Sequence, residues 1–373
     1  MRNKVCHIST AHKENDSRIL LKECQSLSKA GYDVSLIINA DRDKKLYGTN
    51  IIALDSENTS RMYRLFKKSK VALKKAIDLD ADIYHFHDPE LIKVGMELKK
   101  RGKKVIYDVH EDVPKQILAK SYLGPMFIRK IVSKVYNYYE KGKSKNFDGI
   151  IAASDELANK FNNKNSISVK NFAIKEIIEN EKPIDREEND KFIIIYVGSI
   201  TKIRGIKELI QVTELFLGKV ELWILGTFES DELQKECMNL EGYKYCKYFG
   251  SLPVKDVYSY IKSADVGMCT LYPTENYKES IPIKVLEYMA CEKPLVLSDF
   301  DYWKNFFGNV GKYVDPLDIN SIKSGIQYFM DNKLELENMG KNNKKNFIEN
   351  FSWDREEKRL LDLYKKVLSV KQK

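Results

Sequence analysis

The segment from Glu279 to Glu287 holds the residues whose spacing points most directly to chemistry. Pro282 suits the first turn of a helix, so Glu279 is expected just before that helix and Glu287 in its second turn. The first N–H groups of a helix, here those of Ile283 and Lys284, bind anions, and a cation at this positive end favours a phosphate ligand. Two carboxylates beside a phosphate site suit a nucleotide-sugar, because one can bind sugar hydroxyls and the other the ribose diol. Two solvated glutamates are the alternative.

A glycine-bearing turn lies upstream, in residues 196–206 (YVGSITKIRGI). We expect a strand to end at Gly198, which permits a tight turn before Ser199. Arg204 and Gly205 then place a permanent cation beside the start of a helix, where N–H donors and the helix dipole could converge on an anion. An ordinary strand–helix turn with a surface arginine is the alternative.

Polar residues of the first half cluster where predicted strands end. His85, His87 and Asp88 belong to the HFHDPE segment, and His110 and Glu111 to the YDVHED segment. Strand ends on one edge of a parallel sheet face the same crevice, so His87, Asp88, His110 and Glu111 could converge. A metal site is the alternative, but no H-x-x-x-H or comparable ligand spacing supports it, and we expect no metal.

Short β-branched runs alternate with amphipathic helical patterns, which predicts parallel sheets with helices on both faces. Strands are predicted at 5–9, 34–38, 51–54, 83–86, 104–107 and 149–152, and then at 192–197, 220–225, 245–249, 266–269, 294–297 and 312–314. Helices are predicted at 17–29, 60–77, 89–100 and 126–143, and from about residue 319 onward. The predicted fold class is α/β, with two Rossmann-like doubly wound domains facing each other across a cleft.

An acidic, proline-containing stretch without strand character at 174–190 indicates a boundary between the two halves. We predict an N-terminal domain at 1–175, a linker at 176–190, a C-terminal domain at 191–351 and a last helix at 352–373. The last helix carries an apolar stripe but has no third sheet to cover. We therefore expect it to pack across the domain junction.

The composition is that of a globular protein: the 373 residues are 43% apolar and 31% charged. The six cysteines form no C-x-x-C pair and lie in apolar runs, which indicates reduced thiols and a cytoplasmic protein. Neither a signal-peptide pattern nor an apolar stretch of about 20 residues occurs, so neither secretion nor membrane spanning is expected.

The net charge of +9 is concentrated in two basic segments, 61–75 and 115–145. They are either solvated helix faces or surfaces that meet anionic lipid or phosphate. They lack the interleaved stacking aromatics of nucleic-acid-binding surfaces, so no nucleic acid partner is expected.

The E-x7-E block, within ESIPIKVLEYMACEKP, resembles the signature of the family-4 glycosyltransferases. The YVGS…RGI turn, the Asp265-Val-Gly segment and the FSW segment before the last helix are similar to weaker signatures of this family, and the resemblance extends over most of the chain. It implies a GT-B fold, a retaining sugar transfer and no essential metal or cofactor. It also implies that the first domain binds the acceptor and the second the nucleotide-sugar donor.

The resemblance further implies roles for individual residues. Glu287 would bind the donor ribose and Glu279 the hydroxyls of the donor sugar. Arg204, together with Lys284, would neutralise the leaving diphosphate, which is electrostatic catalysis. The implied catalytic residues are Glu279, His110 and Arg204, and the implied donor-binding residues are Gly198, Ser199, Arg204, Pro282, Ile283, Lys284 and Glu287.

Two segments depart from the family pattern. The arginine that often follows the loop glycine is Ser199 here, so phosphate binding would depend more on Arg204. HISTAHKENDSR replaces the glycine pair common after the first strand, which leaves the acceptor-side loop without a template. Acceptor-side candidates are His87, Asp88, Glu111, Asp16 and Arg18, with a helix N-cap and a solvated arginine as alternatives for the last two.

We therefore expect a UDP- or GDP-sugar donor and a glycan or lipid-linked sugar acceptor, in the assembly of a bacterial surface polysaccharide. The enzyme would act in the cytoplasm, where its basic segments could contact the anionic inner face of the plasma membrane. The alternatives are a sugar-nucleotide epimerase of the same fold and a catalytically silent partner subunit.

Overall fold

The computed structural model describes residues 2–55, 63–120, 123–186 and 190–370. The chain forms two compact units, one of Met1–Asn171 with Trp353–Lys373 and the other of Phe172–Ser352, which we call the N-unit and the C-unit. The chain therefore enters the C-unit after Asn171 and leaves it after Ser352.

The N-unit is built on a sheet of eight strands. These are β1 (Lys4–Lys13), β2 (Asp33–Asn39), β3 (Lys44–Leu46), β4 (Thr49–Leu54), β5 (Ile83–Phe86), β6 (Lys104–Val109), β7 (Gly149–Ala152) and β8 (Ser166–Ser168). Their order is β3-β4-β2-β1-β5-β6-β7-β8, and neighbours are parallel except for β3 and β4. The strand order reverses between β1 and β5, and the crevice at such a point is where open α/β sheets bind ligands.

The C-unit repeats this plan with six strands. These are β9 (Phe192–Val197), β10 (Val220–Leu225), β11 (Cys246–Gly250), β12 (Val266–Cys269), β13 (Leu295–Ser298) and β14 (Gly311–Val314). All neighbours are parallel in the order β11-β10-β9-β12-β13-β14, which is a doubly wound topology with its reversal between β9 and β12.

Helices cover both faces of each sheet, so the side chains on both sides of a strand are buried. The strands therefore coincide with continuous runs of β-branched and other apolar residues. All six residues of β10 are buried, for example. The N-unit helices are Ser17–Cys24 continuing into Gln25–Lys29, Arg64–Lys68 continuing into Ser69–Leu79, Pro89–Leu91 continuing into Ile92–Lys100, Val113–Ala119, Met126–Ser144, Asp155–Asn159 and Trp353–Ser369. The C-unit helices are Lys175–Asn180, Lys202–Arg204, Ile206–Glu214, Asp231–Met238, Glu241–Tyr245, Val254–Ser263, Glu275–Lys278, Ile283–Ala290, Asp301–Phe307, Ile319–Asp331, Lys333–Asn346 and Phe347–Phe351.

The twelve predicted strands are confirmed, and the short strands β3 and β8 were not predicted. Both have three residues and lie at opposite edges of the N-unit sheet, so neither has the apolar run that marks a buried strand. The first residues of the predicted helix at 60–77 lie outside the described residues. No helix in the part of the chain that the structure describes is long and apolar enough to span a membrane.

The boundary between the units differs from the predicted linker at 176–190. The chain has already entered the C-unit at Phe172, and Lys175–Asn180 is a short helix with Ile178 buried in the C-unit core. Glu176 and Glu179 lie on its exposed side, which explains why the stretch has the composition of a linker. Residues 187–189 of the predicted linker lie outside the described residues.

The last helix, Trp353–Ser369, belongs to the N-unit. Trp353 Nε1 donates a hydrogen bond to Ser26 Oγ at 3.0 Å, and Lys104 Nζ donates to the carbonyl of Val367 at 2.7 Å. Tyr364 is fully buried, and its hydroxyl lies 2.8 Å from His85 Nδ1. These contacts make the helix part of the N-unit core.

Candidate active site

In the C-unit, two cations converge on the glycine that ends β9. Gly198 has a φ of +118°, and a Cβ placed on it would lie 3.5 Å from Arg204 Nη1 and 3.6 Å from Lys284 Nζ. Arg204 is oriented by hydrogen bonds to the Tyr277 hydroxyl at 3.2 Å and to the Ser199 carbonyl at 3.3 Å. The glycine thus keeps open a small space beside a guanidinium and an ammonium group.

Lys284 is the most unusual of these residues. It is only 9% exposed, and its Nζ lies 3.9 Å from the centroid of the Tyr196 ring but has no hydrogen-bond partner among the described residues. Burial, reinforced by the nearby charge of Arg204, lowers the pKa of Lys284 to about 8. A buried ammonium beside a second cation is costly unless an anion compensates both.

A helix N-terminus adds to this positive site. The helix Ile283–Ala290 begins after Pro282, which provides no side-chain cap, so the helix dipole is not offset there by a capping side chain. The preceding loop is anchored by Trp303 Nε1, which donates a 2.8 Å hydrogen bond to the Ser280 carbonyl. Backbone amides, Lys284 and Arg204 together can bind a phosphate or diphosphate.

The two glutamates of the predicted motif lie on either side of this helix start. Glu279 is exposed and caps the C-terminus of the short helix Glu275–Lys278, whereas Glu287 is half-buried in the second turn of the helix that follows. The Tyr258 hydroxyl donates to Glu287 Oε1 at 3.2 Å, and burial together with this carboxylate raises the pKa of Tyr258. Glu287 is therefore held by a phenol that stays protonated.

The strand ends of the C-unit are packed tightly around this site. Gly205 has a φ of +73°, and a Cβ there would lie 2.2 Å from the carbonyl oxygen of Thr270, at the end of β12. Ile203 accepts a 2.9 Å hydrogen bond from the Tyr272 N–H. The turn that carries Arg204 is thus fixed against the strand across the reversal point.

In the N-unit, a pocket of about 330 Å³ lies at the ends of β1, β5 and β6. The structure brings the predicted His87, Asp88, His110 and Glu111 together in its wall. Residues that were not predicted also line it, including His12, Arg64, Glu90, Gln116 and Lys120. This mixture of imidazoles, carboxylates and cations suits a hydroxyl-rich ligand.

The other two acceptor-side candidates do not line the pocket. Asp16 caps the helical segment that starts at Ser17, accepting from the Ile19 N–H at 2.9 Å. Arg18 is not a solvated arginine, since it is 5% exposed and pairs with Asp108 through Nη2 at 3.0 Å and Nε at 3.2 Å. Asp108, whose pKa burial would raise, keeps a pKa well below its usual range because of Arg18 and His110. The Arg18–Asp108 ion pair therefore has a structural role beneath the pocket and does not serve as a ligand-binding site.

His12 is the functional candidate that the sequence pattern did not reveal. We predicted β1 to end at residue 9, but it continues to Lys13 and carries His12 to the pocket. Its Nδ1 lies 3.3 Å from Asp88 Oδ1 and 2.9 Å from Ser9 Oγ. Burial would lower the pKa of His12, but the hydrogen bond to Asp88 and the charge of Asp88 raise it. A carboxylate that orients an imidazole prepares the other ring nitrogen to bind a proton donor.

Beneath the pocket lies a buried network of histidines. His7 Nδ1 is 2.9 Å from His87 Nε2, and the Tyr364 hydroxyl lies 3.1 Å from His7 Nε2. Burial lowers the pKa of His7, His85 and His87, so these rings are neutral near pH 7. Burial also raises the pKa of Glu23 well above its usual range. The network links the pocket to the last helix.

Two groups of residues in and beneath the pocket have the residue types of a metal site, namely His7, Glu23, His85 and His87, and His87, Asp108 and His110. His7, Glu23, His85 and His87 offer ligand atoms within 4.8 Å of one another, and Glu23 Oε2 is 3.9 to 4.0 Å from each histidine. Ligands around a tetrahedral zinc ion lie about 3.4 Å apart. Glu23 Oε1, Glu23 Oε2 and His85 Nε2 have no hydrogen-bond partner among the described residues, so hydrogen bonding alone does not account for the arrangement. The absence of a required metal stays a prediction.

Comparison with known proteins agrees with this architecture. The family described as "Glycosyltransferase Family 4" matches residues 17–170, and the family "Glycosyl transferases group 1" matches residues 177–346. The chain is 23% identical over 381 residues to the alpha-galactosylglucosyldiacylglycerol synthase of Streptococcus pneumoniae, an alignment that covers 97% of this chain and 95% of that protein.

Two solved structures share the fold along almost the entire chain. Sucrose-phosphate synthase from Thermosynechococcus elongatus superimposes with a TM-score of 0.76 at 17% identity, covering 99% of this chain and 100% of that one. Anabaena Alr3699/HepE, solved in complex with UDP and glucose, superimposes with a TM-score of 0.68 at 11% identity, covering 98% and 100%. Two parallel doubly wound sheets with these relatives define a GT-B glycosyltransferase.

The two family matches lie on the N-unit and the C-unit in turn and together leave only short segments uncovered. The chain belongs to the family 4 glycosyltransferases, and it is a transferase.

Proposed function

We propose that this glycosyltransferase transfers a sugar from a UDP- or GDP-sugar to a lipid-linked acceptor sugar, with retention of anomeric configuration and without an essential metal. The product would enter a bacterial glycolipid or surface polysaccharide. The observation that carries the proposal is the buried ammonium of Lys284, which has no hydrogen-bond partner among the described residues and lies beside Arg204 and a helix start without a side-chain cap.

A nucleoside diphosphate supplies what this site lacks. Its negative charge would compensate Lys284 and Arg204 together, and it gains charge as the glycosidic bond breaks, so the same two cations would stabilise the transition state more than the bound donor. The cations of Lys284 and Arg204 would then stabilise the negative charge of the leaving diphosphate, as a divalent ion does in metal-dependent transferases. Glu287, steadied by Tyr258, would bind the ribose diol, and Glu279 the donor sugar. Retention rests on the resemblance of the E-x7-E motif.

The acceptor would bind in the N-unit pocket. There His12, oriented by Asp88, would accept a hydrogen bond from the acceptor hydroxyl, and Arg64, Lys120 and the carboxylates would bind neighbouring hydroxyls. The S. pneumoniae relative is named for a diacylglycerol glycolipid, which supports a lipid-linked acceptor. Such an acceptor places the reaction at a membrane surface, within reach of the basic segments.

A thermal-shift panel of nucleotides and nucleotide-sugars tests the donor. A ligand present at 100 times its dissociation constant adds about 2.7 kcal/mol of stability, so UDP or GDP should raise the melting temperature measurably. EDTA should not abolish this shift. A panel in which no nucleotide stabilises the protein would refute the proposal.

Product analysis separates the alternatives. A UDP- or GDP-sugar incubated without acceptor should yield no 2-epimer, whereas an epimerase would produce one. Glu279→Gln should remove transfer while keeping nucleotide binding. Unchanged product formation by this variant in the producing cell would instead indicate a silent partner subunit.

A further inference from the structure

The helix Met126–Ser144 has its polarity inverted relative to an ordinary surface helix. The side chains that face the N-unit are polar: Ser133 Oγ donates to the Pro114 carbonyl at 3.0 Å, and Glu140 Oε1 accepts from the Tyr107 hydroxyl at 2.8 Å. Ser144 is buried on the same side. A surface helix normally buries its apolar face and exposes its polar one.

The outward side of this helix is apolar. Large side chains at i, i+4, i+8 and i+11 fall within one stripe at about 100° per residue, opposite the buried serines. The stripe consists of Phe127 (64% exposed), Ile131 (59%), Val135 (64%) and Tyr138 (84%), and Ile128 and Val132 extend it. Single exposed apolar residues are ordinary, but a contiguous apolar face marks an interaction site.

Basic side chains flank the stripe. Lys130, Lys134 and Lys141 follow one edge of it, and Lys143 lies on the other side. The only acid in 126–145 is Glu140, which is buried. Lysines that flank an apolar face can extend their ammonium groups to lipid phosphates while their carbon chains stay in the apolar layer.

These features favour a bilayer over a second copy of the chain. Two such helices packed together would bring their flanking lysines against each other, which is repulsive, whereas an anionic headgroup layer complements them. The helix is also not long and apolar enough to cross a membrane, so it can lie in the interface plane. Tyr138 adds an aromatic ring with a polar tip, which suits that layer.

We infer that the helix Met126–Ser144 inserts its apolar stripe into the surface of an anionic bilayer and so docks the N-unit. This inference rests on the proposed function only for its purpose, which is access to a lipid-linked acceptor. The helix Val113–Ala119 connects the two sites, because Val113, Gln116 and Ile117 line the pocket while Pro114 accepts the hydrogen bond from Ser133. The docked helix therefore positions a wall of the pocket relative to the lipid.

Vesicle flotation tests the inference, with the full chain and no sugar donor. The protein should float with vesicles of phosphatidylcholine and phosphatidylglycerol, and less with phosphatidylcholine alone. The triple variant Phe127→Ser, Ile131→Ser, Val135→Ser should bind at least tenfold more weakly. Because all three side chains are exposed, the fold should be retained. The matched control is Leu217→Ser, Leu317→Ser, Leu334→Ser, which removes equally exposed apolar residues of the C-unit and should bind normally.

A second variant separates insertion from charge. Lys130→Gln, Lys134→Gln, Lys141→Gln should lose the preference for anionic vesicles and most of the salt dependence, while keeping some apolar binding. Equal flotation of the serine triple variant and the wild type would overturn the inference, as would a wild type that binds neither vesicle.

Light scattering tests the rival occupant of the stripe. A wild-type dimer that the serine substitutions dissociate, together with absent flotation, would overturn the inference and assign the stripe to self-association. The thermal shift with UDP or GDP should be the same in the triple variant and the wild type. Loss of that shift in the wild type would contradict the proposed function without affecting the vesicle result.

Discussion

The imidazole of His12 lies 3.3 Å from the carboxylate of Asp88, measured between Nδ1 and Oδ1. Asp88 is fixed in turn, because its Oδ2 accepts from the Ser9 hydroxyl at 3.0 Å and from the Ala11 N–H at 3.1 Å. Burial would raise the pKa of Asp88, but the hydrogen bond and charge of His12 and the backbone N–H groups of Thr10 and Ala11 keep it low. A charged carboxylate thus holds the ring in one orientation in the pocket wall.

Replacing His12 should slow transfer with little effect on folding. His12→Gln should lower kcat/KM by about 100-fold, which is within the range for a general acid or base. The fold should be retained because the His12 side chain is only partly buried. Because Asp88 raises the pKa of His12, activity that needs the neutral ring should fall as pH decreases through that pKa. Asp88→Asn removes the charge, so this acidic limit should move to lower pH. Identical pH–rate profiles for Asp88→Asn and the wild type would contradict this role.

Replacing Lys284 should remove nucleotide binding without harming the apo fold. Lys284→Met eliminates a buried charge and retains most of the volume, so the free energy of unfolding should stay the same or rise by about 1 kcal/mol or more. The thermal shift with UDP or GDP should disappear. Lys312 is the matched control, because its Nζ also lies over a tyrosine ring, 3.3 Å from the centroid of Tyr328. Lys312→Met should keep the thermal shift with UDP or GDP. A normal thermal shift in Lys284→Met would contradict the assignment of this site to the donor diphosphate.

The stability of the apo protein should depend on pH through Lys284. Burial lowers the pKa of Lys284 to about 8, from 10.5, so between these values the folded chain binds fewer protons than the unfolded chain. The free energy of unfolding should therefore rise with pH between about 8 and 10.5. Below about pH 8 the buried ammonium is charged, and its full destabilising effect is present. A bound diphosphate favours the charged form, so nucleotide affinity should weaken above about pH 8. The difference between wild type and Lys284→Met in a pH series of melting curves isolates this contribution.

The turn at Gly205 should not accept a side chain. Gly205→Ala combines a φ of +73° with a Cβ only 2.2 Å from the Thr270 carbonyl, and should cost more than about 2 kcal/mol. Gly250 has a φ of +69° with no atom within 4 Å of a Cβ, so Gly250→Ala should cost only about 1 kcal/mol. Urea unfolding measures both. Equal losses would mean that the contact with Thr270 is unimportant.

The two buried acids around Arg18 should respond differently to amidation. Asp108 pairs with Arg18 through both carboxylate oxygens, so Asp108→Asn should cost about 3–5 kcal/mol by breaking a buried ion pair. Burial and the charge of Asp108 raise the pKa of Glu23, although Arg18 Nε lies 3.0 Å from its Oε1, so Glu23 should carry less of the negative charge and Glu23→Gln should cost less stability than Asp108→Asn. A larger loss for Glu23→Gln than for Asp108→Asn would reverse the assignment of the charge.

The sequence revealed the parallel sheets because each buried strand is a short apolar run between turn residues. It also revealed Gly198, Arg204 and Lys284, which lie near one another in one unit and follow recognisable strand and helix boundaries. It could not reveal His12, because nothing in HISTAHK shows that the strand continues to Lys13. Nor could it pair Arg18 with Asp108, which lies 90 positions further along the chain, since charge pairing over such a separation is set by the assembled sheet.

The contribution of Trp353–Ser369 to the N-unit has a consequence for biosynthesis. The Tyr364 hydroxyl contacts His7 and His85 of the buried histidine network, and both are synthesised hundreds of residues earlier. The N-unit core therefore cannot be completed until Trp353–Ser369 has been synthesised, after the whole of the C-unit. A chain truncated before Tyr364 would lack a contact that completes the core of the unit made first.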